Sequence, residues 1–204
     1  HRPSVPYLLV GALSIPILKL VYRSSSTGKE LLPDGGYVLA ANHWSNIDPW
    51  PLGLPLFPGR YLRFMAKSEL FWFPLGPFIK ACGAFPVRRG ERDTVAIETA
   101  TRLCRDGHVV VMFPEGTRRR KGMRKKYDAR WRTGAARIAL DAGVPLVPAA
   151  VSGTERLARL AKLKVAYGTP VDLSDLGALP PEEAATTATH RLREAIEELE
   201  ASLG

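Results

Sequence analysis

The 204 residues predict an α/β fold: one domain whose mixed or mostly parallel sheet is flanked by helices, led by an apolar N-terminal segment. Three observations predict it. Continuous apolar runs such as "YVLAA" and "HVVVMF" read as strands buried on both faces. Stretches of helical period lie between these runs. The leading segment, Val5 to Tyr22, is set off from the rest by the turn-rich "RSSSTGKELLPDGG". Residues 1–30 are therefore expected to form a membrane-associating segment and linker, and residues 31–204 the main domain.

Each element has its own signal. "VPYLLVGALSIPILKLVY" is mostly apolar but short, interrupted by Pro6 and Pro16, and carries Lys19. A spanning helix needs about 20 apolar residues. Lying in a membrane interface fits better, with Tyr7 and Tyr22 as anchors. No small-residue cleavage site follows it. The chain begins with His1 rather than Met, which leaves room for membrane sequence ahead of it. After "YVLAA", further strands are expected at Tyr61–Lys67, at Ala84–Val87 with Pro86 marking an edge, and at His108–Phe113. Val144–Val151 and Leu163–Gly168 complete the set. Helices are expected at Asp93–Arg105, with Val95, Thr99, Arg102 and Leu103 in phase and Ala96 and Ala100 filling a small-residue face, and at Arg132–Asp141 before a Gly143 stop. A last helix is expected at Pro181–Leu203, with Leu192, Ile196, Leu199 and Leu203 on one face.

Hydrophobic residues make up 46% and charged residues 24%, which excludes a disordered chain and a multi-span membrane protein. Cys82 and Cys104 read as buried free thiols, without the spacing of a zinc site. The net charge of +9 is concentrated: Arg118 to Arg132 holds nine Lys or Arg and one acid, Asp128. Such a run attracts phosphate, whether in nucleic acid, in lipid headgroups or in a phosphorylated substrate. No nucleic-acid-binding motif accompanies it.

Two segments carry chemistry. In "AANHWSNIDPW", His43 and Asp48 meet only if "WSNI" forms a tight bend, which Asn42, Ser45 and Asn46 favour. A carboxylate on one imidazole nitrogen fixes the tautomer and leaves the other nitrogen as a base. No GxSxG elbow supplies a nucleophile. The base would therefore activate a hydroxyl brought by the substrate. In "VVVMFPEGTRRR", Pro114 ends a strand and Gly116 frees the backbone. Thr117 offers a hydroxyl and Arg118 a forked donor set suited to phosphate. Glu115 orients Arg118 or binds a substrate hydroxyl. "CGAFPVRRG" adds Arg88 and Arg89. His43 and Glu115 both follow predicted strands, where α/β sheets gather their sites.

Asn42, His43 and Asp48 match NHxxxxD, and Phe113 to Arg118 match FPEGTR. "GAFPVRR", with Arg89 as its key arginine, and the apolar "VPLVPAAV" complete an ordered set of four. Together they resemble the motifs of the glycerolipid acyltransferase family. The resemblance implies that His43 is the general base and Asp48 orients it. It implies an acceptor-phosphate site from Arg89, Glu115, Gly116, Thr117 and Arg118, with Lys67 beside them. The implied reaction moves a fatty acyl group from a thioester of CoA or acyl carrier protein to the free hydroxyl of 1-acyl-sn-glycerol 3-phosphate (lysophosphatidic acid), giving phosphatidic acid. The thioester is a co-substrate, so no cofactor is expected, and no metal. The family often has serine where this chain has Arg119, which keeps other acceptors open: glycerol 3-phosphate, another lysophospholipid or a glycolipid. Readings of another class are a basic nucleic-acid-binding module and a non-catalytic lipid-binding protein; nucleic acid is not expected as a partner. An anionic membrane surface is, with the protein peripheral or monotopic on the cytoplasmic face of the cell membrane. Phe64, Leu70, Phe71, Trp72 and Phe78 are candidates to line an acyl pocket, and ordinary core packing explains them equally well.

Overall fold

Strand β1 is Ser25–Thr27, β2 Tyr37–Ala41, β3 Leu62–Lys67, β4 Ala84–Val87, β5 Val109–Met112, β6 Leu146–Ser152 and β7 Lys164–Tyr167. The helices are α1 Val5–Pro16, α2 Pro49–Gly53, α3 Leu75–Ala81, α4 Thr94–Arg105, α5 Gly134–Ala142 and α6 Pro181–Ser202. This computed structural model describes residues 3–87, 94–116 and 131–204.

One sheet holds all seven strands in the order β1-β7-β6-β2-β5-β3-β4. Five of its six pairings are parallel, and β6 with β7 is antiparallel. The sheet is thus mixed and mostly parallel, as the alternation of strands and helices predicts. β2 lies at its centre, with Leu39 opposite both Val111 of β5 and Val147 of β6. Every residue of β2 is buried, because both faces are covered. Period-two alternation divides it between two cores. Val38 and Ala40 pack with residues of α4, α5 and α6. Tyr37, Leu39 and Ala41 pack on the other face with Leu52, Leu56 and Leu62. In α6, Leu192 and Ile196 are wholly buried, and burial of each contributes about 1.5–3 kcal/mol.

Several expectations change. β1 lies within the Ser-rich stretch read as turns, where it pairs with β7 as an edge strand. Helix α4 faces inward through Ala96, Ala100 and Cys104. Val95 is 68% exposed, while the larger Ile97 and Leu103 pack against the core beside the small side chains. The short helices α2 and α3 carry prolines that hide them from a periodicity search. Pro86 does mark an edge, since β4 ends the sheet. α1 begins at Ser4, whose hydroxyl accepts from Tyr7 N at 3.3 Å, and the chain continues as a π-helical turn, Ile17–Val21. α1 is tied to α3 by a bond from the Ser4 hydroxyl to the Ala81 carbonyl. No helix among the described residues is long and apolar enough to cross a membrane.

Candidate active site

The site forms at the C-terminal ends of parallel strands. His43 follows β2 by two residues, Glu115 follows β5 by three, and Thr154 follows β6 by two. Parallel pairing of β2 with both neighbours brings these three loops to one edge.

The bend between His43 and Asp48 closes around the carboxylate itself. Asp48 Oδ2 accepts from Trp44 N at 2.7 Å and from Ser45 N at 2.8 Å. His43 Nδ1 lies 2.8 Å from the same oxygen. Asp48 Oδ1 accepts from the Thr154 hydroxyl at 2.6 Å. Asp48 is fully buried, so these donors replace the water it has lost. Because a carboxylate accepts, Nδ1 carries the proton and Nε2 is left as the acceptor nitrogen. The bend therefore depends on Asp48 more than on the asparagines expected to drive it. Asn42 turns to β6 instead, donating to Val151 O at 3.0 Å and accepting from Val151 N at 2.8 Å.

Pro49 opens α2 directly after Asp48, at the helix position that needs no N–H. The far end of α2 is held by Tyr167, whose hydroxyl donates to Leu52 O at 2.7 Å. Burial, with Tyr37 beside it, pushes the Tyr167 phenol well up from its ordinary value, so it remains a donor. The carboxylate is thus fixed through its own loop, through β6 and, by way of α2, through β7.

The His43 ring stacks on Phe113, with centroids 4.2 Å apart and planes 20° from parallel. Glu115 is 5% exposed, and its Oε1 accepts from His43 N at 3.4 Å. Two segments far apart in sequence thus converge on His43. Gly116 takes a φ of +70°, and its N–H donates to Phe113 O at 3.0 Å, closing the turn. Arg132, exposed at the surface, donates its N–H to Pro114 O at 2.8 Å. Its guanidinium arm lies over Gly116, where a Cβ would collide with Nε. Lys67 closes β3 at the same edge, separated from β2 by β5, and pairs in register with Val87 of β4. Lys67 is exposed there and within reach of a ligand arriving from solvent. Arg89, Thr117 and Arg118, with the basic run as far as Arg130, lie outside the described residues.

Two contacts leave no signal in the sequence. Asn42 belongs to the NHxxxxD motif and favours a turn, but its bonds to Val151 depend on which strands pair. Thr154 stands 106 residues from Asp48, and no spacing rule links them. Of the candidate acyl-pocket residues, Leu70, Trp72 and Phe78 are 43%, 59% and 49% exposed, Phe71 is half-buried, and Phe64 packs against the core of Leu62 and Val111. Burial pushes the Cys104 thiol up to about 12 and raises that of half-buried Cys82. Neither is poised as a thiolate nucleophile.

A base with a fixed tautomer, at a sheet edge beside a turn that bears a cation, suits activation of a hydroxyl on an anionic molecule. Known proteins resemble the chain in sequence and in fold. The chain is 36% identical over 182 residues to the 1-acyl-sn-glycerol-3-phosphate acyltransferase of Bacillus subtilis, covering 86% of this chain and 87% of that one. It is 31% identical over 160 residues to the protein of the same name in Streptococcus pneumoniae, covering 76% of this chain and 57% of that one. The fold is similar to the crystal structure of the 1-acyl-sn-glycerophosphate (LPA) acyltransferase PlsC from Thermotoga maritima, with a TM-score of 0.67 and 26% identity. That match covers 95% of this chain and 78% of the other. The acyltransferase family model matches residues 23–152. That span runs from before β1 to the end of β6 and takes in His43, Asp48 and Glu115; the chain belongs to the acyltransferase family.

Proposed function

We propose that the protein transfers a fatty acyl group from an acyl thioester, of CoA or of acyl carrier protein, to the free hydroxyl of 1-acyl-sn-glycerol 3-phosphate. The products are phosphatidic acid and the free thiol. The observation that carries this reading is the buried His43–Asp48 pair, 2.8 Å apart, at the edge where Glu115 and Gly116 turn. The names of the Bacillus and Streptococcus relatives support the acceptor.

Asp48 holds the proton on Nδ1. As the acceptor oxygen attacks the thioester carbonyl, Nε2 takes the hydroxyl proton. The tetrahedral adduct collapses with loss of the thiolate, and His43 returns the proton to sulfur. Atoms and charge balance without a covalent enzyme intermediate. The acceptor's phosphate sits at the turn following β5. Lys67, Arg89, Gly116, Thr117 and Arg118 hold it, and Glu115 ties that turn to the backbone of His43. Binding energy at the phosphate orients the hydroxyl, which is how a group remote from the reacting atoms raises the rate.

The same reading sets the enzyme on an anionic bilayer, peripheral to its cytoplasmic face. Val5, Leu9 and Leu13 of α1 are 68%, 59% and 70% exposed, and Leu20 beyond it is 79% exposed. Trp72 and Phe73, in the turn before α3, are 59% and 84% exposed. Apolar surface gathered in this way marks an interaction face, and the run of net +8 suits the anionic lipid of a cytoplasmic leaflet.

The test is thiol release from palmitoyl-CoA in vesicles, with and without lysophosphatidic acid, repeated with acyl carrier protein as donor. Acceptor-dependent release with phosphatidic acid as product is expected, and none from His43→Ala. Full transfer by His43→Ala would sink the proposal.

A further inference from the structure

The oxygens of Asp48 are unequally supplied. Oδ2 takes three donors, from His43, Trp44 and Ser45, all within its own bend. Oδ1 takes the Thr154 hydroxyl, at 2.6 Å. Thr154 is 3% exposed, belongs to none of the four motifs, and lies beyond the span that matches the family model. Its backbone is held firmly. Gly153 before it has a φ of +96° and abuts the Lys162 carbonyl so closely that a Cβ would collide. The Gly153 N–H donates to Glu155 Oε2 at 3.1 Å. Such a turn delivers one hydroxyl to a fixed point.

We propose that Thr154 is a positioning residue for acyl transfer, acting through Asp48 to hold His43 Nε2 toward the acceptor hydroxyl. The proposal rests on the reading of His43 as the base. A carboxylate bonded strongly at one oxygen can still rotate about its Cβ–Cγ bond. A short bond to the second oxygen stops that rotation and fixes the plane in which Nδ1–H is received. Without it, a buried anionic oxygen lacks a donor. The carboxylate then swings to share the donors of Oδ2, or draws harder on the imidazole proton. Either change degrades the base. The charged group facing His43 from the β5 side is Glu115, whose Oε1 receives His43 N. That bond goes to the main chain of His43, whereas Thr154 acts on the carboxylate that receives its ring. The Thr154 methyl fills buried space, which separates two roles that substitution can tell apart: valine keeps the volume, and serine keeps the hydroxyl.

The experiment measures acyl transfer from palmitoyl-CoA to lysophosphatidic acid across a pH series. The full chain is used with Thr154→Val, Thr154→Ser and Thr154→Ala, and His43→Ala runs in parallel. Thr154→Val is expected to lose roughly 10–100-fold in kcat, the range for a hydrogen bond to a charged group. Its KM for the acceptor should stay within about twofold. The acidic limb of its kcat/KM profile should move to higher pH, and serine should restore most of the activity. A folded Thr154→Val enzyme with wild-type kcat and an unmoved limb would overturn the proposal, as would serine no better than valine. If valine prevents folding, serine far above alanine supports the hydroxyl's role, and equality overturns it. Full activity in His43→Ala overturns the base assignment itself. An inactive His43→Ala beside a normal Thr154→Val overturns the Thr154 proposal alone.

Discussion

Asn42 and Val151 exchange two hydrogen bonds across 109 residues, the amide nitrogen donating at 3.0 Å and the amide oxygen accepting at 2.8 Å. The backbone ladder between β2 and β6 reaches Ala41 opposite Ala149. One residue later the Asn42 side chain takes the place of a peptide group. Its donor and acceptor satisfy β6, and the main chain is released to bend around Asp48. An asparagine is needed because an ionised aspartate has no donor and leucine has neither group.

Asn42→Leu is expected to leave the N–H and C=O of Val151 without partners in a fully buried setting. Each unsatisfied group costs about 1–3 kcal/mol. The expected outcome is a chain destabilised by several kcal/mol in urea unfolding, with acyl transfer lost in whatever fraction stays folded. Stability within experimental error of the wild type would mean that the Val151 groups find other partners.

Asp48→Asn separates charge from geometry. The asparagine oxygen can take the place of Oδ2 and receive the same three donors. Its NH2 group then faces Thr154, whose hydroxyl can turn and accept. The fold and the thermal melt should change little. The negative charge that stabilises a protonated His43 is gone; in a comparable triad the same replacement costs about 10⁴ in kcat because the imidazole takes the wrong tautomer, a loss that retention of Nδ1–H would spare here. A fall of at least about 10² with normal melting is expected here, since a hydrogen bond to a charged group is worth up to about 3 kcal/mol. Wild-type kcat in a folded Asp48→Asn enzyme would remove the orienting role from Asp48.

What the sequence made legible follows from distance along the chain. His43 and Asp48 could be paired because five residues separate them and few backbone paths join them. The strands β2 to β7 could be named because buried parallel strands are short apolar runs with turns at both ends. Thr154 and the partner of Asn42 could not be found, since both depend on β6 lying beside β2, a choice made by tertiary packing. β1 escaped because three edge residues, Ser25–Thr27, with an exposed-intermediate-exposed pattern, bury too little to leave an apolar signature. In α4 the small-residue face of Ala96 and Ala100 was legible and is the face that is buried; Leu103 packs beside it, and only Val95, counted in for its size, points outward.

The exposed ridge of α1 predicts a membrane dependence that can be titrated. Leu9 and Leu13 stand one helical turn apart, both more than half exposed, so changing them to serine should spare the core. Burying one leucine side chain in a bilayer contributes about 1.5–3 kcal/mol. The double variant is therefore expected to bind anionic vesicles at least about tenfold more weakly in co-sedimentation, with an unchanged melting temperature. Unaltered vesicle binding would take α1 out of the membrane contact and leave it to the turn at Trp72 and Phe73.

Gly116 links the turn of β5 to Arg132, and its replacement by alanine tests whether that contact belongs to the site. The residue has a φ of +70°, where an L side chain costs about 1–2 kcal/mol. The new methyl would also strike Arg132 at Nε and Cδ, the stem of the guanidinium. Arg132 is anchored by its own N–H to Pro114 O, so its arm must swing away while its backbone stays. The Glu115 bond to His43 N holds the turn against the base, which keeps the chemistry largely intact. Gly116→Ala is thus expected to lower the melting temperature by several degrees. The KM for lysophosphatidic acid should rise by about tenfold, as for loss of one charged contact, with kcat falling less. Arg132→Gln should reproduce the KM change without the drop in melting temperature. If Arg132→Gln leaves KM unchanged while Gly116→Ala raises it, the turn geometry itself sets acceptor affinity and the guanidinium is a bystander.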